Sequence, residues 1–395
     1  MAKQRDGTVR RRHRHQGRTD RRPTANPTGP TGARKLSAHR VIGLMTGTSL
    51  DGADLVLATF DDHPTVIAAE HHPYPDALHD QAAALADGER IDFVAIARFK
   101  VDLSEWFADL ALRMIQQHGA VDGIAVQGQS LAHLPGLHAF QALQPERIAA
   151  RCQTPVIAEF RNTDMALGGQ GAPLSAAFHQ RLFDLDGIAR AVVGISGMAH
   201  LTYLGPKGEL SGDEIGPGNL LMDAWAERHL NLRWDMDGAW ARQGRVSTDL
   251  LRVLRAEPFF DQPSPKAAGP GLFTISWLDQ TLKTLATKPS PVDVMATLLE
   301  LTAWSISKHL AACPVAPTDV VLCGGGANNR ALVERIGQLC SLPTRLSDEL
   351  GIPVGQVGAT AFAWFGHCRL ARQRLDLGTI TGASSAGLYG TLFEI

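Results

Sequence analysis

The sequence has few cysteines and no long apolar run. Its five cysteines are odd in number and contain no CxxC pair, which argues against a disulfide framework and a zinc site. No segment approaches the ~18 consecutive apolar residues of a membrane span. Residues 1–35 lack the apolar core of a signal peptide. These absences predict a protein of a reducing compartment without a membrane partner, and we expect it in the cytoplasm.

Positive charge is concentrated at the start of the chain. Residues 1–35 contain 11 Lys and Arg against 2 Asp and Glu, a surplus of nine, so the overall charge of −2 leaves −11 on the rest. Segment 1–38 has few large apolar residues and is predicted to be a disordered tail. Its basic run from Arg10 to Arg14 could instead be a nucleic-acid or membrane-surface arm. The acidic remainder argues against nucleic acid as a partner.

Short apolar runs alternate with helical patterns along the rest of the chain. The predicted strands are 41–45, 53–60, 123–126, 155–160, 191–195, 201–204 and 320–323. The predicted helices are 91–118, 220–229 and 294–310, and Asn219 is a predicted N-cap. Each half opens with two strands around a turn of small residues. The pattern predicts an α/β fold of two similar halves with a cleft between them.

Three glycine-rich turns follow apolar strands, at residues 43–54, 212–219 and 324–329. Neither a GxxxxGK[ST] loop nor a GxGxxG loop after a strand is present. Backbone N–H groups of tight glycine turns can still bind phosphates, as can a helix N-terminus. Asp51 and Asp54 flank the first turn, where a carboxylate either makes a turn hydrogen bond or meets Mg²⁺. One such turn could simply reverse the chain, whereas three in both halves favour phosphate binding.

A polar loop rich in glycine lies at residues 161–174. It offers charged and amide groups suited to sugar hydroxyls and a carboxylate, from Arg161, Asp164 and Gln170. A long surface loop would have a similar composition. His133 and His138 have no carboxylate nearby in the sequence, and we interpret them as ordinary surface or loop histidines.

Residues 43–54 resemble the signature of anhydro-N-acetylmuramic acid kinases, GLMSGTSLDGxD. Further matches follow in order: 160–174 resembles FRxxD…GGQGAPL, 216–225 resembles GPGNxLMDAW, and 323–328 and 381–383 match as well. The resemblance runs from about residue 41 to the last residue. It implies a two-lobed actin-like fold of the sugar kinase and Hsp70 type, with ATP in the interdomain cleft. The implied lobes are 39–188 and 189–395, and a homodimer is a possible assembly.

The resemblance also implies Mg²⁺ with ATP, and 1,6-anhydro-N-acetylmuramic acid as the second substrate. In the family's reaction a base activates water to open the anhydro ring while O6 takes the γ-phosphoryl group. The product is N-acetylmuramic acid 6-phosphate, in cell-wall recycling. The implied base is Glu214, with Asp213 in reserve. The implied nucleotide residues are Gly47, Thr48, Ser49, Leu50, Asp51, Gly52, Ala53, Asp54, Gly216, Gly218, Asn219, Gly324, Gly325, Gly326 and Asn328. The implied sugar residues are Gln129, Arg161, Asp164 and Gln170.

The sequence differs from the family pattern near the implied chemistry. Glu214 stands where the family has Asp, and Ile215 replaces a Thr. Gly194 and His200 replace the two Asn residues of NxGGIxN, and Gly358 replaces an acidic residue. A catalytic base must come within about 2.6–3.2 Å of the proton it removes. Two hypotheses therefore stay open: an active anhydro-sugar kinase, or a homologue that binds nucleotide and a sugar as a sensor or binding module.

Overall fold

The structure describes the chain from residue 39 onward. The computed structural model describes residues 39–395, except 48, 49, 51, 62, 87–91, 270 and 271. The predicted tail 1–38 therefore lies outside the described residues. So do three predicted nucleotide residues of the first turn, Thr48, Ser49 and Asp51.

The first half of the chain supplies a mixed sheet. Its strands are β1 Arg40–Thr46, β2 Gly52–Phe60, β3 Pro64–Pro73, β4 Gly123–Gln127, β7 Val156–Ala158 and, from the end of the chain, β13 Thr391–Phe393. The order is β13-β7-β4-β1-β2-β3. Strands β1 to β3 form an antiparallel meander, while β4 lies parallel to β1 and β7 parallel to β4. A separate hairpin joins β5 Gln129–Leu134 to β6 His138–Ala142.

The second half repeats this plan. Its strands are β8 Arg190–Ile195, β9 Met198–Leu204, β10 Leu210–Pro217, β11 Asp319–Cys323 and β12 Thr344–Leu346. The order β10-β9-β8-β11-β12 again sets an antiparallel meander beside two parallel strands. Arg190 fixes the β8–β11 register through two hydrogen bonds to the Asp319 carboxylate, at 2.9 and 2.8 Å. The repeated order confirms the predicted α/β, actin-like fold class.

Helices pack on both sheets. In the first half they are α1 Asp76–Ala86, α2 Phe93–His118, α3 Pro145–Cys152, α4 Phe160–Ala166 and α5 Ala176–Phe183. In the second half they are α6 Leu220–Leu230, α7 Thr248–Arg255, α8 Ile275–Thr284, α9 Pro291–Ala311, α10 Arg330–Cys340, α11 Val357–Leu370 and α12 Gly378–Thr381. The Asp92 carboxylate caps α2 by accepting from two backbone N–H groups of the first turn. Among the described helices, none is long and apolar enough to span a bilayer.

Helix α11 is buried along most of its length because it packs between the halves. One apolar cluster joins Phe362 and Phe365 of this helix to Val41 of the first sheet and Val192 of the second. Each such buried side chain contributes roughly 1.5–3 kcal/mol to folding. A Cβ at Gly43 would lie 2.0 Å from the Ala359 carbonyl oxygen, so only glycine permits this approach of β1 to α11.

The last strand of the chain belongs to the first sheet. Thr391–Phe393 pairs antiparallel with Val156–Ala158, so β13 forms one edge of that sheet. Helix α11 also packs against β1, β2 and β4. Elements from beyond residue 189 thus contribute to the first half, and the predicted lobe boundary at that residue stays a prediction.

Two predicted elements differ in the structure. The predicted strand 155–160 ends at Ala158, because Glu159 has a φ of 62° and Phe160 begins α4. The predicted glycine-rich turn at 212–219 was wrong as a turn, since residues up to Pro217 belong to β10. A Cβ at Gly212 would lie 2.9 Å from the Ala176 Cβ. Close packing, and not chain reversal, accounts for this glycine.

Candidate functional site

The first predicted phosphate turn connects β1 to β2. Leu50 has a φ of 55°, the left-handed conformation of a tight turn. A Cβ at Gly52 would lie 2.2 Å from the His72 carbonyl oxygen, so this position requires glycine. Asp54 follows on β2, where its Oδ1 is 2.8 Å from His71 Nδ1. Gly47 and Ala53 lie at the two strand ends, and the remaining predicted residues of the turn are outside the described ones.

The second and third predicted turns meet at the carboxyl end of β8. A Cβ at Gly218 would lie 2.0 Å from the Ser196 carbonyl oxygen, and one at Gly324 would lie 2.4 Å from that of Ile195. Gly326 likewise packs on Ile195. Ligands of open α/β sheets bind at such carboxyl ends. Gly325 and Asn328 are exposed beside this point, whereas Gly216 is buried within β10.

Helix α6 begins directly after the second turn. Asn219 occupies the N-cap position but makes no capping bond, contrary to the prediction. Its own backbone is helical, and its amide donates to the Asp223 carboxylate at 2.6 Å. A cavity of about 110 Å³ is lined by Leu50 of the first turn together with Leu220 and Asp223 of α6. The first glycine-rich turn therefore lies next to the start of helix α6.

Glu214 lies on the edge strand β10, immediately before a bulge between Glu214 and Gly216. Bulges re-aim side chains and are common beside active sites. Its Oε2 accepts a hydrogen bond from the Ala268 backbone N–H at 2.7 Å. Burial raises the pKa of this carboxyl, opposed by the Ala268 hydrogen bond and the charge of Arg161. A carboxylate with a raised pKa is suited to accept a proton near neutral pH.

Asp213 points to the other face of β10, because neighbouring strand residues alternate. Its carboxylate accepts hydrogen bonds from Ser264 Oγ and, at 3.0 Å, from the Lys266 backbone N–H. Burial raises its pKa, opposed chiefly by the Ser264 hydrogen bond. Asp213 could replace Glu214 only after a one-residue shift of the strand.

Arg161 carries the positive charge nearest to Glu214. It extends from α4, and its Nη1 donates to the Gly171 carbonyl at 2.7 Å. Burial lowers the pKa of its guanidinium, while the charges of Glu214 and Asp164 raise it. One half-buried cation thus lies near two carboxylates and lowers the pKa of each, which keeps both more easily ionised.

Asp164 is fully buried and accepts three hydrogen bonds. Its Oδ1 accepts from Thr381 Oγ1 at 2.7 Å and from the Tyr389 hydroxyl at 3.0 Å. Its Oδ2 accepts from the Gly171 backbone N–H at 2.8 Å. Burial raises its pKa, and these donors and Arg161 oppose that shift. Asp164 therefore fixes the glycine loop to the C-terminal segment, and its predicted contact with a sugar stays a prediction.

The two predicted glutamines lie apart. Gln170 is in the loop beside Arg161, where its backbone N–H donates to the Thr381 carbonyl at 2.8 Å. Gln129 begins β5, and its Oε1 accepts from the buried Tyr74 hydroxyl at 3.0 Å. Among the described residues, no hydrogen bond joins the Gln129 side chain to Arg161. Their roles in sugar binding stay predictions.

His200, which the motif comparison marked as a substituted position near the implied chemistry, lies beside Glu214. The β9–β10 register pairs the two directly, which puts their side chains on one face of the sheet. Its Nε2 is 3.1 Å from Ser175 Oγ, and its ring stacks on His179. Burial, then the charge of Arg161, lowers its pKa to about 4, so the ring is neutral at pH 7. The motif comparison singled out position 200, whereas its direct pairing with Glu214 depends on the strand register.

Gly194 pairs with His200 across β8 and β9. A Cβ there would lie 2.2 Å from Cε1 and Nε2 of the imidazole. The glycine thus makes room for the ring that replaces an expected asparagine. Gly358 likewise makes room for a neighbouring side chain, because a Cβ at this position would lie 2.6 Å from Met45 Sδ.

We therefore expect Gly194→Ala to lower kcat/KM by roughly tenfold or more, because the displaced ring would disturb Glu214. Adding His200→Ala removes the collision and should restore part of the loss. The measurement is steady-state kinetics of the wild type, the single variant and the double variant. An unchanged kcat/KM for Gly194→Ala would show that the ring and the base are not coupled.

The whole described length matches one protein family. A family model described as anhydro-N-acetylmuramic acid kinase matches residues 39–395. The anhydro-N-acetylmuramic acid kinase of Bordetella pertussis is 39% identical over 360 residues, covering 89% of this chain and 95% of that protein. That of Cupriavidus pinatubonensis is 37% identical over 372 residues, covering 91% and 99%. A solved structure, the ROK hexokinase from Thermus thermophilus, is similar at 17% identity and a TM-score of 0.35, covering 83% and 99%. This chain belongs to the anhydro-N-acetylmuramic acid kinase family.

Proposed function

We propose that this protein uses ATP to phosphorylate 1,6-anhydro-N-acetylmuramic acid while opening its anhydro ring with water. Membership of the family supports the substrates. The observation that carries the chemistry is Glu214, a half-buried carboxylate held by the Ala268 N–H and lying near Arg161. The product is N-acetylmuramic acid 6-phosphate, and the process it serves is cell-wall recycling.

In the proposed reaction Glu214 takes a proton from water, whose oxygen forms a bond to the anomeric carbon. The bond from that carbon to O6 breaks, and O6 forms a bond to the γ-phosphorus of ATP. The bond from the γ-phosphorus to the bridging oxygen breaks, which releases ADP. Phosphoryl transfer needs positioning and charge neutralisation more than covalent help from the protein. The glycine turns around β8 and the first turn supply the positions for the phosphates.

The proposal also includes a metal ion, a sugar-binding residue, a cellular location and an oligomeric state. Mg²⁺ would neutralise the phosphates, and it needs only one or two protein carboxylates. Asp54 and Asp223 lie at the first turn and at the start of α6, where they could hold it. Arg161 would bind the polar groups of the sugar. The proposed location of the protein is the cytoplasm, and its proposed oligomeric state is a homodimer.

A direct assay tests the proposal. Purified protein is incubated with Mg-ATP and the anhydro sugar, and the 6-phosphate sugar is sought by mass spectrometry. Product should form with one ADP per sugar and should fall to background in Glu214→Ala. Binding of both ligands without any product above that control would instead support the sensor or binding module.

The proposed base also predicts the pH dependence. Because burial raises the pKa of Glu214 above 4.5, kcat/KM should rise with pH through that higher value as the carboxyl loses its proton. His200, with a pKa of about 4, stays neutral through this range. The measurement is a pH–rate profile at saturating ATP. A profile that stays flat down to pH 4.5 contradicts the assignment of the base.

A further inference from the structure

Two buried polar atoms beside Gly171 have no hydrogen-bond partner among the described residues. They are Nε2 of His133 and Nε of Arg161. Both side chains contact Gly171. Arg161 Nη1 donates to its carbonyl oxygen at 2.7 Å, and His133 Cε1 lies 3.2 Å from where its Cβ would be. Buried groups of this kind are normally paired, so two at one place indicate a missing polar partner.

The two atoms have opposite hydrogen-bonding character. Burial, then the charge of Arg161, lowers the pKa of His133 to about 4, so its ring is neutral at pH 7. The ring also makes a hydrogen bond with the backbone of Gln170. Since Nε2 is unpaired, that bond belongs to Nδ1, and Nε2 is left as an acceptor. Arg161 Nε–H is a donor. The pair therefore suits a ligand group with one donor and one acceptor.

Building on the proposed function, we propose that His133 and Arg161 bind the acetamido group of the sugar. Its N–H would donate to His133 Nε2, and its carbonyl oxygen would accept from Arg161 Nε. The sugar's carboxylate has no donor at pH 7 and would leave Nε2 unpaired. His133 is thus a specificity-determining residue that selects an N-acetylated amino sugar over its 2-deoxy counterpart, which offers neither atom a partner at this position. Sites built to hydrogen-bond a substrate group discriminate strongly against analogues without it.

Two substitutions at His133 separate this role from a structural one. In His133→Asn the amide nitrogen can keep the bond to the Gln170 backbone but lacks the Nε2 acceptor. In His133→Gln the amide oxygen can take the place of Nε2. Dissociation constants for the anhydro sugar and for its 2-deoxy analogue are measured by calorimetry on the full chain. Wild-type protein should prefer the acetamido sugar, His133→Asn should lose that preference by roughly tenfold or more, and His133→Gln should retain part of it.

His138→Asn is the matched control, because this exposed histidine lies on the same hairpin and should leave the preference unchanged. Equal weakening of both ligands by His133→Asn would indicate a structural role and overturn the inference. A wild-type protein that bound both sugars equally well would also overturn the inference. A wild-type protein that shows the preference but forms no 6-phosphate sugar would overturn the proposed function and leave this inference standing.

Discussion

Replacing Glu214 by glutamine is expected to lower kcat by about 10²–10⁴-fold, with a smaller change in KM for either substrate. Glutamine can still accept the hydrogen bond from the Ala268 N–H, so the local backbone should be preserved. It cannot take a proton from water, and general-base catalysis typically contributes a factor of this size. Steady-state kinetics with the anhydro sugar and ATP measure the loss.

Two companion variants make this result specific. Asp213→Asn removes the neighbouring carboxylate on the opposite face of β10 and should leave most of kcat intact. Glu214→Asp keeps the charge but shortens the side chain by one methylene. A displacement of ~1 Å can cost about 100-fold, so this variant should fall well below wild type. A larger loss of kcat from Asp213→Asn than from Glu214→Gln would exchange the roles of the two carboxylates.

Replacing Asp164 by alanine is expected to lower the free energy of unfolding by about 3–5 kcal/mol. Three buried donors would lose their acceptor: Thr381 Oγ1, the Tyr389 hydroxyl and the Gly171 N–H. Each unsatisfied buried group costs about 1–3 kcal/mol, and the costs of neighbours are not fully additive. The glycine loop beside Arg161 would also loosen. Urea denaturation followed by circular dichroism measures the change.

The matched control is Asp186→Ala, which removes an exposed carboxylate from a loop and should change the unfolding free energy by less than about 0.5 kcal/mol. A stable Asp164→Ala protein with a raised KM for the sugar alone would contradict the anchoring role. That outcome would favour direct contact between Asp164 and the sugar.

Seven of the thirteen described strands were predicted, because their signal is local. Runs such as Val192 and Val193 of β8 are apolar and β-branched, and they are buried on both faces. The alternation of apolar runs with helical patterns gave the α/β class, and the repeated turn after the first strand of each half gave the two similar halves. Residues 212–217 were misjudged because glycine usually favours turns, and here close packing of Gly212 overrides that preference.

The site was only partly predictable, because its contacts join distant parts of the chain. Glu214 and Arg161 came from motif resemblance. The partners of Asp164 lie 217 and 225 residues away, at Thr381 and Tyr389. His133, interpreted from the sequence as an ordinary loop histidine, is partly buried beside Arg161 in the fold. Such neighbours depend on tertiary packing, which local sequence patterns do not encode.

The position of β13 limits how far the first half can fold during synthesis. A ribosome releases the strands β1 to β7 long before Thr391–Phe393 emerges, yet that last strand completes the edge of their sheet. Helix α11, which covers β1, is also synthesised late. Domains generally fold as units, starting from the N-terminal part during synthesis. Here the sheet of the first half is incomplete until Thr391–Phe393 has been synthesised, so its unpaired β7 edge is exposed to chaperones or to wrong partners until then.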